Sequence, residues 1–295
     1  MNTDSSKDVV VRTFLRRWDT VYTWIPDIIA DRDPEPLHQF RVSIRYLLSM
    51  DSIFGLTEFA PLPGDWCSQL KIVMKHAGPV RDLDVHLQVV ETRINSSETE
   101  TRASLTRFLK HLRSVRIPLQ NQLVNALNRL PHIASGLTVI EPSKIKSFRV
   151  PEDWIDRLEK TSDRIRKRID RIEKYSPNEA VLKQLHKIRI LMKSVRYPVT
   201  VLNEIMAGKW EEALVQFKQV QDLLGNLHDN VELWKLLEQY GEKDDALQKY
   251  SDEIRRLKSW YLDRFNREWG EGQLHQFLRG VIGEIAQNFG NDSMI

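Results

Sequence analysis

The sequence predicts an all-α fold, and three observations support this prediction. Apolar residues recur at spacings of three and four over long segments, with no convincing run of alternating strand residues. A nine-residue segment with helical spacing occurs twice, 148 positions apart. Hydrophobic residues make up 41% and charged residues 29% of the 295 residues, which indicates a globular chain long enough to bury a sizeable core.

Start signals precede both copies of the repeated segment. Pro34 and Pro36 lie just before the first copy. Before the second copy, Ser176 as N-cap, Pro177 at N1 and Glu179 at N3 form a capping-box arrangement. Each copy is therefore predicted to lie on a helix. The long segments predicted to be helical include residues 98–130, 152–175, 178–206, 210–240 and 244–269.

The repeat predicts a chain of two similar halves. Residues 131–151 carry three prolines and one glycine and lose the helical period, so the connection is expected there. The predicted organisation is a first helical-bundle half over residues 1–135, a linker over 136–151 and a second half over 152–295. Pro118 and Pro198 lie inside helical patterns and are expected to kink or break them.

The repeated segment carries a stripe of cations beside its apolar arc. Residues 37–45 read LHQFRVSIR and residues 185–193 read LHKIRILMK. At 100° per residue, the histidine and the two following cations of each copy fall within about 60° of one another and adjoin the apolar residues. Such cations point into a groove between helices, where an anion must offset their desolvation. The stripe residues are His38, Arg41, Arg45, His186, Arg189, Lys193 and Arg196.

A second duplicated segment follows each stripe. Residues 70–87 align with 217–233 at an offset of 147, which places Gly78 on Gly225 and Asp82 on Asp229. A glycine inside a helical pattern predicts a close helix approach or a bend, and the aspartates are expected to be structural. The alignment adds Lys71, Lys75, Arg81, Lys218 and His228 to the candidate anion ligands. Arg113, Arg116, Arg255 and Lys258 on later helices are further candidates.

Positive charge is segregated along the chain. The net charge is only +3, yet residues 101–140 contain no Asp or Glu and carry six Lys or Arg, and residues 180–203 are also free of acids. This pattern predicts a strong local field that captures a polyanion; the alternative is that these are ordinary solvated helix faces. For each histidine, the alternative to anion binding is an interhelical hydrogen bond.

Cysteine content and hydropathy suggest where the chain resides. Cys67 is the only cysteine, so no intrachain disulfide can form and a reducing compartment is expected. The N-terminal residues lack the pattern of a signal peptide, and no stretch of 18 apolar residues occurs. We expect a cytoplasmic protein without a membrane partner.

Four motifs together resemble one known family. LHxxRxxxR at 37–45, GxxRDLDV at 78–85, LHxxRxxxKxxRY at 185–197 and LLGxLHD at 223–229 are similar to the CHAD domain, the conserved histidine α-helical domain. Two residues depart from the family pattern: Pro79 lies inside the second motif, and Thr200 stands where the family often has Glu. Neither departure replaces a cationic residue. With no strand pattern for a triphosphate tunnel domain, the chain resembles a stand-alone member.

The resemblance implies a fold, a ligand and a set of partners. The fold would be two four-helix bundles related by a pseudo-twofold axis, with a basic central channel that binds inorganic polyphosphate. Association with polyphosphate granules and with polyphosphate-metabolising enzymes would follow, and nucleic acid would be only a competing polyanion. No cofactor or metal is expected.

The alternatives to polyphosphate binding are an enzyme, a nucleic-acid-binding protein and a helical scaffold. Glu35 and His38 have the ExxH spacing of di-iron proteins, but the position matching Glu35 before His186 is Lys183, so the spacing is read as coincidence. The sequence contains no HExxH, GxxxxGK[ST] or GxSxG motif, and binding without turnover is expected. A nucleic-acid-binding protein and a helical scaffold for an acidic protein segment remain alternatives.

Overall fold

α-Helices dominate the part of the chain that the structure describes. The computed structural model describes residues 3–54, 66–130, 152–172, 179–240, 245–270 and 272–289. No strand occurs within these ranges, and the all-α fold class is confirmed. The helices are α1 (Thr3–Thr23), α2 (Ile25–Ala30), α3 (Glu35–Phe54), α4 (Trp66–Asn95), α5 (Thr99–Leu127), α6 (Glu152–Ile172), α7 (Glu179–Ile205), α8 (Glu211–Tyr240), α9 (Asp245–Trp269) and α10 (Gln273–Phe289).

Helix bounds agree closely with the periodicity of the sequence. The bounds of α5, α7, α8 and α9 lie within three residues of the predicted segments. The predicted N-cap at Ser176, the predicted linker 136–151 and residues 173–175 lie outside the described residues. Apolar periodicity therefore located the helices, because each amphipathic face must be buried against a neighbour.

Prolines do not break the helices that contain them. Pro118 lies inside α5 and Pro198 inside α7, and both helices continue past them. Pro118 is exposed, so water can satisfy the carbonyl that loses its hydrogen bond. Pro198 is buried among apolar residues whose packing holds the helix together. The expected break therefore does not occur at these two positions, and the alternative expectation of a kink stays a prediction.

The apolar arcs of both stripe helices are buried as predicted. The side chains of α3 and α7 on these arcs are at most 3% exposed, while the cations beside them are half-buried. The buried arc residues are Leu37, Phe40, Ile44 and Leu47 in α3, and Leu185, Ile188, Met192, Val195 and Val199 in α7.

Helices of one half contact their sequence counterparts in the other half. α1 packs on α3 as α6 packs on α7, and the pair α4–α5 resembles the pair α8–α9. Across the halves, α3 contacts α7, α4 contacts α8 and α5 contacts α9. A twofold relation would produce this pattern, and the internal duplication itself stays a prediction from sequence.

Apolar contacts run through both halves. One cluster of buried side chains extends from α1 and α3 through α7 to α10. A second, smaller cluster is formed by parts of α4, α5, α8 and α9. Each cluster thus draws residues from both sides of the predicted linker. Within the described ranges, no helix has an apolar stretch long enough to cross a membrane.

Candidate functional site

The two cation stripes lie side by side where α3 contacts α7. Arg45 of α3 places Nη1 3.5 Å from the Tyr197 hydroxyl of α7, with its guanidinium carbon 5.7 Å from the centre of that ring. The rings of Tyr46 and Tyr197 meet edge to face, with centroids 5.7 Å apart. This aromatic contact brings the stripe of each helix beside the other.

Lys193 lies among the cations of both stripes. The pKa of its ammonium is lowered to about 7, first by burial and then by Arg189, Arg45 and Arg41, against an opposing effect of Asp82. Near neutral pH, this lysine is therefore only partly charged in the free protein. Because arginines of both α3 and α7 repel the Lys193 ammonium, the two stripes border the same space.

Arg41 extends from α3 toward α4. Its Nη1 lies 3.5 Å from the Met74 carbonyl, and a Cβ placed at Gly78 would lie 3.5 Å from the same nitrogen. A side chain larger than alanine at position 78 would therefore meet the guanidinium. Burial lowers the pKa of Arg41 to about 10, and Arg45 contributes further.

A pair of histidines joins α7 to α8. His186 Nδ1 lies 3.2 Å from His228 Nδ1, and the ring centroids are 4.5 Å apart. Burial and Arg189 lower the pKa of both rings, that of His228 to about 4. The expected alternative for a histidine, an interhelical hydrogen bond, is thus realised here within the cation cluster.

In the first half, His38 and Arg81 hold the sequence positions that match His186 and His228. The pKa of His38 is lowered by burial and next by Arg81 of α4, with further effects of Arg45 and Arg41. The structure therefore gathers eight of the candidate ligands around one volume bordered by α3, α4, α7 and α8. We call these eight the basic groove: His38, Arg41, Arg45, Arg81, His186, Arg189, Lys193 and His228.

Cations of the basic groove lack carboxylate partners at ion-pair distance. Within the described ranges, none of its Arg or Lys side chains forms an ion pair with Asp or Glu. Two aspartates, Asp82 and Asp229, lie nearby. The charge of Asp82 opposes the lowering of the Arg41 and Lys193 pKa values. Burial raises the pKa of Asp229 while Arg189 opposes that shift, and Asp82 raises this pKa further across the α4–α8 contact. The groove thus holds more positive than negative charge.

The remaining candidates of the two repeated segments are Arg196, Lys71, Lys75 and Lys218. Arg196 donates a 2.6 Å hydrogen bond to Gln221 Oε1. Lys71 and Lys75 are exposed and share the face of α4 that carries Gly78, while exposed Lys218 pairs with Asp222. We therefore regard Lys71 and Lys75 as an open continuation of the basic groove along α4, whereas the charge of Lys218 is compensated by Asp222.

The close helix approach predicted at Gly225 is wrong, and the alternative of a bend there stays a prediction. A Cβ built at Gly225 meets no atom within 4 Å, so this position faces open space. The same residue type therefore has different surroundings in the two halves: contact with an arginine at Gly78 and space at Gly225.

Candidates on the later helices are engaged elsewhere. Arg113 pairs with Glu91 at 2.7 Å, and Arg255 with Asp252 at 2.9 Å. The Lys258 ammonium lies 3.9 Å from the centre of the Trp234 ring. The structure does not bring these three side chains into the basic groove.

Arg116 forms an ion-pair network inside the first half. Its guanidinium donates two hydrogen bonds of 2.7 Å to Asp31 and one of 2.6 Å to Asp84. Asp84 is only 6% exposed, and burial raises its pKa against the effect of Arg116. This arginine compensates a buried carboxylate, which indicates a structural role.

Two tyrosines of the site escaped the sequence reasoning. Tyr46 and Tyr197 each follow a stripe arginine, and Arg17 lies over the Tyr46 ring at 4.2 Å. The signal that could have found them is the Arg-Tyr dipeptide that ends each stripe. Among the described residues, no group of three or more His, Cys, Asp or Glu is arranged to hold a metal ion.

The comparisons with known proteins identify the family. The family model described as the CHAD domain matches residues 12–238. The chain belongs to the CHAD domain family. The crystal structure of the CHAD domain from the plant Ricinus communis is similar to this CHAD protein, with a TM-score of 0.55, 18% identity, and coverage of 94% of this chain and 91% of that chain. This likeness shows the fold alone. No curated protein matches the chain.

Proposed function

We propose that this CHAD protein binds inorganic polyphosphate in the basic groove, without turnover. The observation that carries the proposal is the pair Arg41 and Lys193: two half-buried cations on different helices, with no ion pair to a described carboxylate. Keeping desolvated cations together is unfavourable, and a bound polyanion would remove that penalty. Arginine offers bidentate donors that match phosphate oxygens.

The arrangement suits a linear polyanion. Residues three or four apart on a helix lie about 4.5–6 Å apart along the axis, so successive cations can engage successive phosphates. The stripes of α3 and α7 run beside each other, and exposed Lys71 and Lys75 extend the positive surface. Affinity should arise mainly from charge neutralisation and counterion release.

Nucleic acid is the less favoured ligand. Single strands bind proteins through exposed aromatic stacking platforms. Trp154 and Trp210 are buried at 3% and 1% exposure, and Trp234 is covered by Lys258. These three tryptophans therefore do not offer stacking surfaces in the groove, which favours a polyanion without bases.

Titration with long-chain polyphosphate at moderate salt tests the proposal. The double variant Arg41→Glu with Arg189→Glu should lose binding while its helical circular-dichroism spectrum is retained. Lys160→Glu with Arg166→Glu, two exposed positions of α6, is the matched control and should bind normally. Retained affinity in the groove variant, or displacement by duplex DNA at equal charge concentration, would contradict the proposal. Orthophosphate release measured in the same samples tests for turnover.

Two cellular roles belong to the same proposal. The protein would associate with polyphosphate granules in the cytoplasm and would meet polyphosphate-metabolising enzymes there. A fluorescent fusion should form foci in cells that accumulate polyphosphate, and the foci should disappear when polyphosphate is removed. Diffuse fluorescence under both conditions would argue against the granule role and leave the binding proposal to the titration.

A further inference from the structure

A cavity of about 760 Å³ lies between α7, α8 and α9. Its floor is apolar and includes Leu185, Leu224, Leu227 and Leu262. Apolar cavities of this size with a few polar groups at the rim are typical of binding sites. The rim cations, which we call the cavity rim, are Lys183, Lys187, Lys235, Arg255 and Lys258.

In the first half, helix α2 lies beside the sequence counterparts of α7 and α9. α2 contacts α3 and α5, which match α7 and α9 in order along the repeat. Ile28 of α2 is 3% exposed, and its carbonyl accepts a 2.7 Å hydrogen bond from Gln120. Asp31, just after α2, is held by Arg116. The apolar side chain of Ile28 and the carboxylate of Asp31 thus lie together beside α3 and α5.

The second half has a shorter connection at the same point of the repeat. Residues 24–34 join α1 to α3 and include α2. Only residues 173–178, which lie outside the described ranges, join α6 to α7. Within the described residues, α7 and α9 therefore have no equivalent of α2 between them.

Charge at the rim specifies the chemistry of an occupant. Five cations of the cavity rim face two acids, Glu179 and Glu232, which pair with Lys183 at 3.1 Å and Lys235 at 2.8 Å. Arg255 pairs with Asp252 at 2.9 Å, whereas Lys187 and Lys258 have no described carboxylate at ion-pair distance. An occupant that satisfies this cavity needs apolar side chains for the floor and carboxylates for the rim.

We propose that this cavity receives an acidic amphipathic segment of a partner protein, seated as α2 is seated in the first half. The segment would place apolar side chains on the leucine floor and carboxylates beside Lys187 and Lys258. Polyphosphate has no apolar groups and would leave the floor unsatisfied, whereas a short amphipathic helix fits both features. The cavity and the basic groove share His186 and His228, and their other residues differ, so variants of the unshared cations distinguish the two sites.

A peptide copied from the chain itself provides the probe. A capped synthetic peptide with the sequence of residues 24–33, WIPDIIADRD, is titrated to millimolar concentration into the full-length protein carrying labelled leucine methyl groups. The methyl signals of Leu224, Leu227 and Leu262 should shift in a saturable manner. A peptide in which its three aspartates are replaced by asparagine should bind at least about tenfold more weakly, because the rim contributes through charge.

Paired variants locate the binding. Lys187→Glu with Lys258→Glu should weaken peptide binding about tenfold or more, and Leu182→Trp should block it by filling the cavity. Lys160→Glu with Arg166→Glu should leave it unchanged. The proposal fails if the floor methyls do not shift, or if binding is lost instead in Arg41→Glu with Arg189→Glu, since the peptide would then occupy the basic groove. It also fails if dodecanoate shifts these methyls and the peptide does not.

Discussion

The Nδ1 atoms of His186 and His228 lie 3.2 Å apart. At this separation one ring must donate and the other accept, so both rings cannot carry a proton on Nδ1 while the bond persists. The surrounding charges are Arg189, Lys193 and Lys235, with Glu232 opposing them. The bond thus excludes a doubly protonated pair, and burial together with these cations lowers the pKa of both rings, which favours their neutral forms in the free protein.

Polyphosphate affinity should increase as the pH falls from 8.5 to 6. The pKa of Lys193 is lowered to about 7, and the pKa values of His38, His186 and His228 are also lowered. A bound polyanion raises these pKa values, so binding takes up protons and is favoured at lower pH. We expect a gain of roughly tenfold or more across this range. Calorimetry in buffers of different ionisation enthalpy would measure the uptake; a pH-independent affinity would contradict the prediction.

Replacing Lys193 by methionine should stabilise the fold and weaken polyphosphate binding. Because the folded-state pKa of about 7 lies below the ordinary lysine pKa of 10.5, the unfolded chain binds more protons between these values. The penalty is therefore full below pH 7 and is relieved as the pH rises through that window. Lys193→Met should gain roughly 1–3 kcal/mol at pH 6.5 and less at pH 9.5. Thermal melts at both pH values measure this, with the exposed Lys218→Met as a control expected to change little.

Removing Arg116 should destabilise the protein without affecting polyphosphate binding. Arg116→Met leaves the buried Asp84 carboxylate without its ion-pair partner, which costs about 3–5 kcal/mol for a buried pair. Chemical denaturation would measure the loss. Arg113→Met is the matched control, because the Arg113–Glu91 pair is solvent-exposed and contributes little. A selective loss of affinity in Arg116→Met, with unfolding unchanged, would instead assign this arginine to the binding site.

Salt dependence should report which cations contact phosphate. Arg45→Gln and Arg189→Gln should each reduce the slope of log affinity against log salt by roughly one. Arg255→Gln, outside the basic groove and paired with Asp252, should leave the slope unchanged. Equal slopes in all three variants would show that the groove arginines make no phosphate contact.

Local features of the molecule were accessible from the sequence. The bounds of α7 and α8, the buried arc from Leu185 to Val199 and the half-buried cations beside it follow from a periodicity of 3.6 residues. Gly225 and Pro198 were misjudged, because the space beside a glycine and the packing around a proline depend on neighbouring helices. The network of Arg116 was missed for the same reason, since Asp31 and Asp84 are distant in sequence.

The sequence by itself determined which helices form and which side of each carries apolar or cationic residues, because amphipathic spacing is a property of one helix. Only the tertiary structure decided that Arg41, Arg45 and Lys193 share one volume, that His186 bonds His228, and that α2 has no described equivalent beside α9. These outcomes depend on how helices cross and how long their connections are. Side-chain spacing along one helix does not encode either quantity.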